Sequence, residues 1–287
     1  MKGIILAGGL GSRLYPLTVS VSKHLLAVYD KPLIYYPLSV LMLAKISDIL
    51  VVCNKEHLSQ YETLFLNQKS LGLNVNFAIQ PEPKGICDAL LMGEDFVGDD
   101  DFTLILGDNI FYGSGMTHIL EKAINNNLTG ATVFTYYVND QSQFGAPQYD
   151  GSGNIKKIIE KPKKRKPGPV VTGLYTFKNE AIQICKNIKP SYRGECEVTS
   201  LLNIFAMKGT LTEQELGRGF TWFDGGSFEN LFEASNFVKS VQSRHGHKVA
   251  CLEEISLKNG WLEQIFSKSN SLQYINNEYV NYLKELT

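Results

Sequence analysis

Residues Lys2 to Arg13 read KGIILAGGLGSR, an apolar run that passes directly into three glycines within four positions. Such a run, bounded by a glycine-rich turn, is a buried strand ending at an edge where the backbone can approach a ligand. Outward from it the pattern repeats. Asp48 to Cys53, Val75 to Gln80 and Thr103 to Leu106 have strand character, and Ile34 to Lys45, His57 to Asn67, Gly85 to Phe96 and Met116 to Asn126 fit the helices between them. This βαβ rhythm predicts an α/β, Rossmann-like fold: a mostly parallel mixed sheet sandwiched by helices. Ligands of such sheets lie beyond the carboxyl ends of the strands. GGLGSR, QPEPKG and GDN follow the first, third and fourth strands and so fall at that edge.

After Ala131 the chain becomes β-rich. Thr132 to Val138, Phe144 to Lys161 with its DGSG turn signal, and Val170 to Phe177 predict strands that extend the sheet or fold over its ligand edge. A helix over Glu180 to Asn187, a second over Val198 to Lys208, strand-like TWFD and a helix over Ser227 to Arg244 follow, and the last forty residues have mostly helical character. No internal repeat or low-complexity linker divides the chain. The expected organisation is a single domain over 1–287 with three parts: a ligand-edge part at 1–130, a β-rich insertion at 131–226 and a C-terminal helical lobe at 227–287.

Composition narrows the function classes. Hydrophobic residues make up 44% of the chain, enough to fill a core, and 28 Lys and Arg against 29 Asp and Glu leave a formal charge of -1. Nothing predicts a basic field for nucleic acid, and no run of about 18 apolar residues predicts a membrane span. The five cysteines, Cys53, Cys87, Cys185, Cys196 and Cys251, are scattered without a CxxC pair and read as reduced structural thiols. With no signal-peptide pattern at KGIILA, the expectation is a cytoplasmic protein.

GGLGSR, Gly8 to Arg13, fits neither common glycine fingerprint. GxGxxG needs glycine where Leu14 stands, and a P-loop needs Lys and then Ser or Thr after its last glycine. The residue types still suit phosphate, because glycines let backbone N–H groups close on phosphate oxygens while Arg13 adds a forked cation. Lys23 is a second cation suited to a triphosphate, where charge builds on non-bridging oxygens and departing pyrophosphate. Taken singly, the glycines also suit a tight turn and Lys23 a solvated position. Asp108 in LILGDN and Asp224 in TWFDGG each end an apolar strand, where a carboxylate is a hard oxygen donor for magnesium or else a turn or cap residue. Asp99 to Asp101 read as a solvated turn. Gln80 in QPEPKG carries a paired donor and acceptor complementary to the edge of thymine or uracil, and Gly85 can bring backbone there.

Together, LAGGLGSRLYPLT and SKHLLAVYDKPLIYYPLSVLMLA closely resemble the sugar nucleotidylyltransferases, in particular the glucose-1-phosphate thymidylyltransferases. The resemblance continues through QPEPKG, LGDNIFYG, EKP, VTGLYTF, RGE, LGRGFTWFDGGS and KVACLEEI, nearly the whole chain. It implies that a sugar 1-phosphate oxygen attacks the α-phosphorus of dTTP in line, giving dTDP-glucose and pyrophosphate with Mg2+ and no protein nucleophile. It implies Arg13, Lys23 and Asp108 as catalytic residues, with Gly8, Gly11, Ser12, His24, Gln80 and Gly85 joining them around the nucleotide. Asn109, Gly145, Glu160, Lys161 and Val171 match sugar-phosphate positions, Asp108 and Asp224 the magnesium positions. The three parts then become nucleotide-binding, sugar-binding and oligomerisation parts. A homotetramer is also implied, with a second nucleotide site at a subunit interface near Gly113, Gly217, Arg218, Gly219 and Cys251 to Ile255.

Departures from the family pattern cluster near the pocket. His24 replaces a nucleotide-side glutamine and is expected to keep hydrogen bonding while able to add charge near neutral pH. Ile86 replaces a leucine bordering the pocket, Phe144 lacks a tyrosine hydroxyl, Ser200 replaces an aspartate, and Ser114 stands where the second site usually has histidine. Glu195 in RGE is a further sugar or structural contact, and the cations from Lys161 to Lys166 read as a solvated loop. Glucose 1-phosphate leads, with an amino or deoxy sugar 1-phosphate, or UTP in place of dTTP, as alternatives. A non-catalytic nucleotide-binding regulatory relative is the rival class.

Overall fold

The computed structural model describes residues 1–66, 68–125, 129–265 and 275–286. Its first half runs β1 (Lys2–Ala7), β2 (Ala27–Val28), β3 (Lys31–Pro32), α1 (Tyr35–Leu43), β4 (Asp48–Cys53), α2 (Leu58–Leu64), β5 (Asn74–Ile79), α3 (Ile86–Leu91), α4 (Glu94–Val97), β6 (Phe102–Leu106), β7 (Asn109–Gly113) and α5 (Met116–Asn125). The second half continues with β8 (Ala131–Val138), β9 (Gly145–Tyr149), β10 (Ile155–Glu160), β11 (Gly168–Phe177), α6 (Glu180–Cys185), α7 (Val198–Met207), β12 (Leu211–Glu215), β13 (Phe220–Asp224), α8 (Phe228–His245), α9 (Leu252–Lys258) and α10 (Glu278–Glu285). The helix ends expected at Asn67 and Asn126, and 266–274 of the expected helical C-terminus, lie outside the described residues.

β6, β1, β4 and β5 lie side by side and parallel, with Leu6 opposite Leu106 and Ala7 opposite Cys53. β11 runs antiparallel to β6 and carries β8 and β9 with it; β10 joins β9, and β12 joins β8, to complete nine strands in one sheet. The β-rich stretch therefore extends the sheet. β7 and β13 form a separate antiparallel pair that sets Asp224 opposite Asn109.

β1 is buried on both faces, which is why its sequence is continuously apolar rather than alternating. Ile5 joins Leu38, Val51 and Phe134 in one core, while Ile4 joins Leu50, Phe102, Phe177 and Phe205 in the other. Helix α1 is buried from Tyr36 to Met42 and packs against the sheet, α5 and α9, so its sequence shows no polar face. Ser227 caps α8, its hydroxyl accepting from the Asn230 N–H at 3.2 Å, and Gly246 closes that helix.

Three local expectations change. The helix expected over Gly85 to Phe96 is two helices, α3 and α4, divided where the Gly93 backbone packs against Leu50 and Ile4. β12 has no apolar run to betray it, because it is an edge strand paired only with β8. The acids before β6 do more than meet solvent: Asp101 accepts from Lys178 at 2.8 Å and from the Asn179 N–H at 3.2 Å, and Asp100 pairs with Lys2 at 3.2 Å. All five cysteines are free, four of them buried. Among the described residues no helix is long and apolar enough to cross a membrane.

Candidate active site

Backbone hydrogen bonds draw the three polar loops to one edge. The Gly107 N–H donates to the Leu6 carbonyl at 2.9 Å, and the Gln80 N–H to the Cys53 carbonyl at 2.9 Å. GGLGSR turns at Gly11 with a φ of 65°, which glycine adopts without a Cβ penalty. The Thr18 hydroxyl then donates to the Gly11 carbonyl at 3.0 Å, and buried Leu14 pins the far end of the loop. Ser12 and Arg13 stay exposed. Lys23 runs beneath the loop, its side-chain carbons 3.4 Å and 3.2 Å from where a Cβ on Gly9 or Gly11 would stand.

Two cations and two carboxylates meet beside that loop. Lys23 Nζ contacts Asp108 Oδ2, with both side chains nearly buried. The Gly225 N–H donates to the Asp108 carbonyl at 2.7 Å, so the end of β13 lies against the turn from β6 into β7 and Asp224 comes beside Asp108. Arg13 reaches the same place, for its guanidinium and the Asp224 carboxylate both flank Gly226. Burial opposes the charged form of Asp108, but the Lys23 charge, His24 and the hydrogen bonds from Lys23 and Asn109 together hold the carboxyl below the usual carboxylate range. Asp224 shifts upward, through burial first and the Asp108 charge second, against the pull of Lys23 and Arg13. No group of three or more His, Cys, Asp or Glu suited to a metal occurs among the described residues. The Asp108 and Asp224 pair is the available oxygen donor set.

Among the residues expected around the nucleotide, Gln80 is almost fully buried and its Nε2 donates to Asp88 Oδ2 at 2.9 Å. Gly85 has a φ of 105°, and a Cβ there would stand 2.6 Å from the Cys196 carbonyl oxygen. The QPEPKG loop is thus locked to the chain before α7, where the Cys196 N–H also donates to the Lys84 carbonyl at 2.7 Å. His24 is buried with its Cδ2 2.8 Å from where a Cβ on Gly107 would stand, and its Nδ1 lies in a hydrogen-bonded triangle with the Ser22 and Tyr61 hydroxyls at 3.0 Å and 3.2 Å. Burial, then the Lys23 charge, lowers its pKa to about 3, so the ring is neutral near pH 7 and the charge expected there is absent.

The residues expected around the sugar converge through strand register. Gly145 on β9 stands opposite both Glu160 on β10 and Val171 on β11. With Arg13, Asp108, Asn109 and Asp224 they line one cavity of about 210 Å³. Asn109 is braced rather than free: its Nδ2 donates to Asp108 Oδ1 at 2.9 Å, and its Oδ1 accepts from the Gly173 N–H at 3.1 Å and Trp222 Nε1 at 2.7 Å. Lys161 lies exposed beside the cavity rather than in its lining, held in left-handed backbone (φ 43°) with its N–H on the Phe144 carbonyl at 3.0 Å.

Arg193, passed over in the sequence in favour of Glu195, is the hub of this side. It pairs with Glu160 at 3.5 Å, Glu195 at 3.3 Å and Glu197 at 3.6 Å. Burial and the neighbouring Glu197 charge raise the Glu160 pKa, while Lys161 and Arg193 oppose them. Glu195 lies outside the cavity lining. Trp222 also escaped notice, although it precedes Asp224 by two residues and so shares its face of β13. Of the residues expected at the second site, Gly113 stands opposite Phe220, which follows Gly219, and Leu252 belongs to the same large core as Leu216 and Phe220.

The sequence pattern of the nucleotidyl transferase family matches residues 2–241. A glucose-1-phosphate thymidylyltransferase of Neisseria meningitidis is 46% identical over 100% of this chain and 99% of its own. One from Mycolicibacterium smegmatis is 41% identical over 100% and 99%. A crystal structure described as a glucose-1-phosphate thymidylyltransferase from Bacillus anthracis with sucrose superposes with a TM-score of 0.75 at 38% identity, covering 83% of this chain and 94% of that one. UDP-glucose pyrophosphorylase complexed with UDP-glucose shares the fold, with a TM-score of 0.74 at 23% identity over 84% of this chain and 98% of its own. This chain belongs to the nucleotidyl transferase family and, within it, to the glucose-1-phosphate thymidylyltransferases.

Proposed function

We propose that this chain joins dTTP to α-D-glucose 1-phosphate in a magnesium-dependent reaction, forming dTDP-glucose and pyrophosphate for deoxysugar and surface polysaccharide synthesis. The observation that carries the proposal is the meeting of Arg13, Lys23, Asp108 and Asp224 between the glycine loop and the row Gly145, Glu160 and Val171. An oxygen of the sugar phosphate attacks the α-phosphorus; that P–O bond forms as the bond to the β-phosphate oxygen breaks, and the electron pair leaves on pyrophosphate. The nucleophile is already an anion, so no protein base is required. Alignment and charge are what the chain supplies.

Arg13 and the N–H groups of Gly8, Gly11 and Ser12 take the triphosphate oxygens, and Lys23 adds a cation aimed by its bond to Asp108. Gln80 and Gly85 receive the base, with buried His24 packed against Gly107 on the nucleotide side. Glu160 accepts from sugar hydroxyls, Asn109 and Val171 shape the pocket, and exposed Lys161 meets the sugar's phosphate. Two carboxylates that offer only oxygen fit a magnesium ion whose remaining ligands are phosphates and water, and a divalent cation also relieves the repulsion that raises the Asp224 pKa. When bound there, it would polarise the phosphate oxygens.

In this scheme 1–130 holds the nucleotide, 131–226 the sugar, and 227–287 supports a homotetramer, with the second nucleotide site drawing on residues of all three parts. The partners are dTTP and a sugar 1-phosphate, with no role for nucleic acid or membrane, and the free thiols fit a reducing cytoplasm. An amino or deoxy sugar 1-phosphate is the second possibility, favoured by Phe144, whose ring meets Trp222 edge-on at 5.1 Å and brings no hydroxyl. The test is pyrophosphate release from dTTP or UTP against a panel of sugar 1-phosphates, with and without magnesium. Magnesium-dependent release with dTTP and glucose 1-phosphate is expected. No turnover with any pair would defeat the proposal, and a strong preference for another sugar would replace glucose.

A further inference from the structure

We infer that Asp88 is a positioning residue for base selection: it orients the Gln80 carboxamide so that only a hydrogen-bond acceptor faces the nucleotide. The inference rests on the nucleotide-binding side of the proposed function, and its basis is the set of atoms around that amide. Gln80 Nε2 donates to Asp88 Oδ2 at 2.9 Å and lies 3.4 Å from the Gly85 carbonyl oxygen. A carboxylate and a carbonyl can only accept, so the NH2 end of the amide must face them. The opposite end, Oε1, lies against Gly8, 2.8 Å from where a Cβ would stand, and receives no hydrogen bond from the described residues. Both amide protons are engaged. What remains for a ligand at the glycine loop is one oxygen.

An acceptor fixed in this way complements a base edge that carries an imino N–H. The N3–H of thymine or uracil donates to it, whereas N3 of cytosine, of the same size, is itself an acceptor and would confront the oxygen lone pair to lone pair. An unconstrained glutamine could turn its amide and serve either edge. Asp88 removes that freedom. It does so from the first turn of α3, where the half-buried carboxylate touches the amide without lining the sugar cavity.

Asp88→Asn tests the idea, because an asparagine can donate as well as accept and so permits the Gln80 amide to turn. Asp88→Ala frees the amide while keeping a good helix former in α3. For each protein, affinities for dTTP and dCTP are measured by calorimetry, and kcat/KM for both nucleotides by pyrophosphate release at saturating glucose 1-phosphate. The preference for dTTP over dCTP should fall by about tenfold or more in both variants, the value of one neutral hydrogen bond, while KM for glucose 1-phosphate moves less than about twofold. An unchanged dTTP to dCTP ratio, even with weaker binding of both, overturns the inference and leaves Asp88 a packing residue. Equal binding of the two nucleotides by the unaltered chain overturns it as well. If the unaltered chain prefers dTTP in calorimetry yet releases no pyrophosphate, the catalytic proposal fails while the affinity ratios still decide the role of Asp88.

Discussion

Asp108 has two opposed neighbours: the Lys23 ammonium on its Oδ2 and, where the end of β13 pairs with the start of β7, the Asp224 carboxylate. Asp108→Asn removes one charge from this cluster, but Lys23 keeps Asp224 as counter-charge and the repulsion between the two acids disappears. The fold therefore loses little, and the melting temperature should stay within about 4 °C, the equivalent of roughly 1 kcal/mol. Magnesium-dependent pyrophosphate release should fall by about 10² or more, as when a group aligned on developing charge is lost. A large melting shift with full turnover per folded molecule would reverse the assignment. His24 bears on stability instead. Burial first, then Lys23, lowers its pKa from 6.5 to about 3, so between these values the unfolded chain takes up a proton that the folded chain refuses. The stability owed to neutral His24 is complete above pH 6.5 and is lost as the pH falls toward 3, by about 1.4 kcal/mol per unit. Melting measured from pH 7 to 5 should show that slope, and His24→Gln should flatten it; parallel slopes would place the titration elsewhere.

At the scale of elements, the proposed nucleotide and sugar sides are joined where the QPEPKG loop meets the turn-rich segment before α7. Gly85 makes this possible, since its φ of 105° and the nearby Cys196 backbone leave no room for a Cβ. Gly85→Ala should force the loop and that segment apart, costing about 1–3 kcal/mol of stability and raising KM for both substrates. Steady-state kinetics with each substrate varied in turn checks this, and a rise confined to dTTP would mean that the joint is not shared. The same joint marks how much could be read beforehand. β1, its glycine loop and the ends of β5 and β6 are legible because a parallel strand buried on both faces has a continuous apolar sequence and its ligand loop follows directly. Arg13, Lys23, Asp108 and Asp224 could be proposed from their residue types and from the family resemblance. Arg193 and Trp222 could not, because each acts through a partner distant in sequence, Glu160 and Asn109, and Asp88 could not, because its bond to Gln80 depends on the turn that Gly85 makes between them. Edge strand β12, paired on one side and carrying glutamates, gives no periodic apolar signal at all.

At the scale of the whole molecule, the strands of 131–226 do not form a sheet of their own. β11 hydrogen-bonds β6 from Leu174 to Phe177, directly continuing the parallel strands of the nucleotide side. Phe102 of β6, Phe177 of β11 and Phe205 of α7 share one core with Ile4 of β1. Neither part can lose its packing without exposing the other's apolar face, so the two should unfold together. Differential scanning calorimetry should accordingly record one transition spanning both parts. A ligand bound only to the folded state at about 100 times its Kd adds about 2.7 kcal/mol, so dTTP with magnesium should move the entire transition upward by roughly 5–10 °C. Two transitions, with only one responding to dTTP, would mean that the sugar side folds as an independent unit and that the continuous sheet is not what couples the two substrate sites.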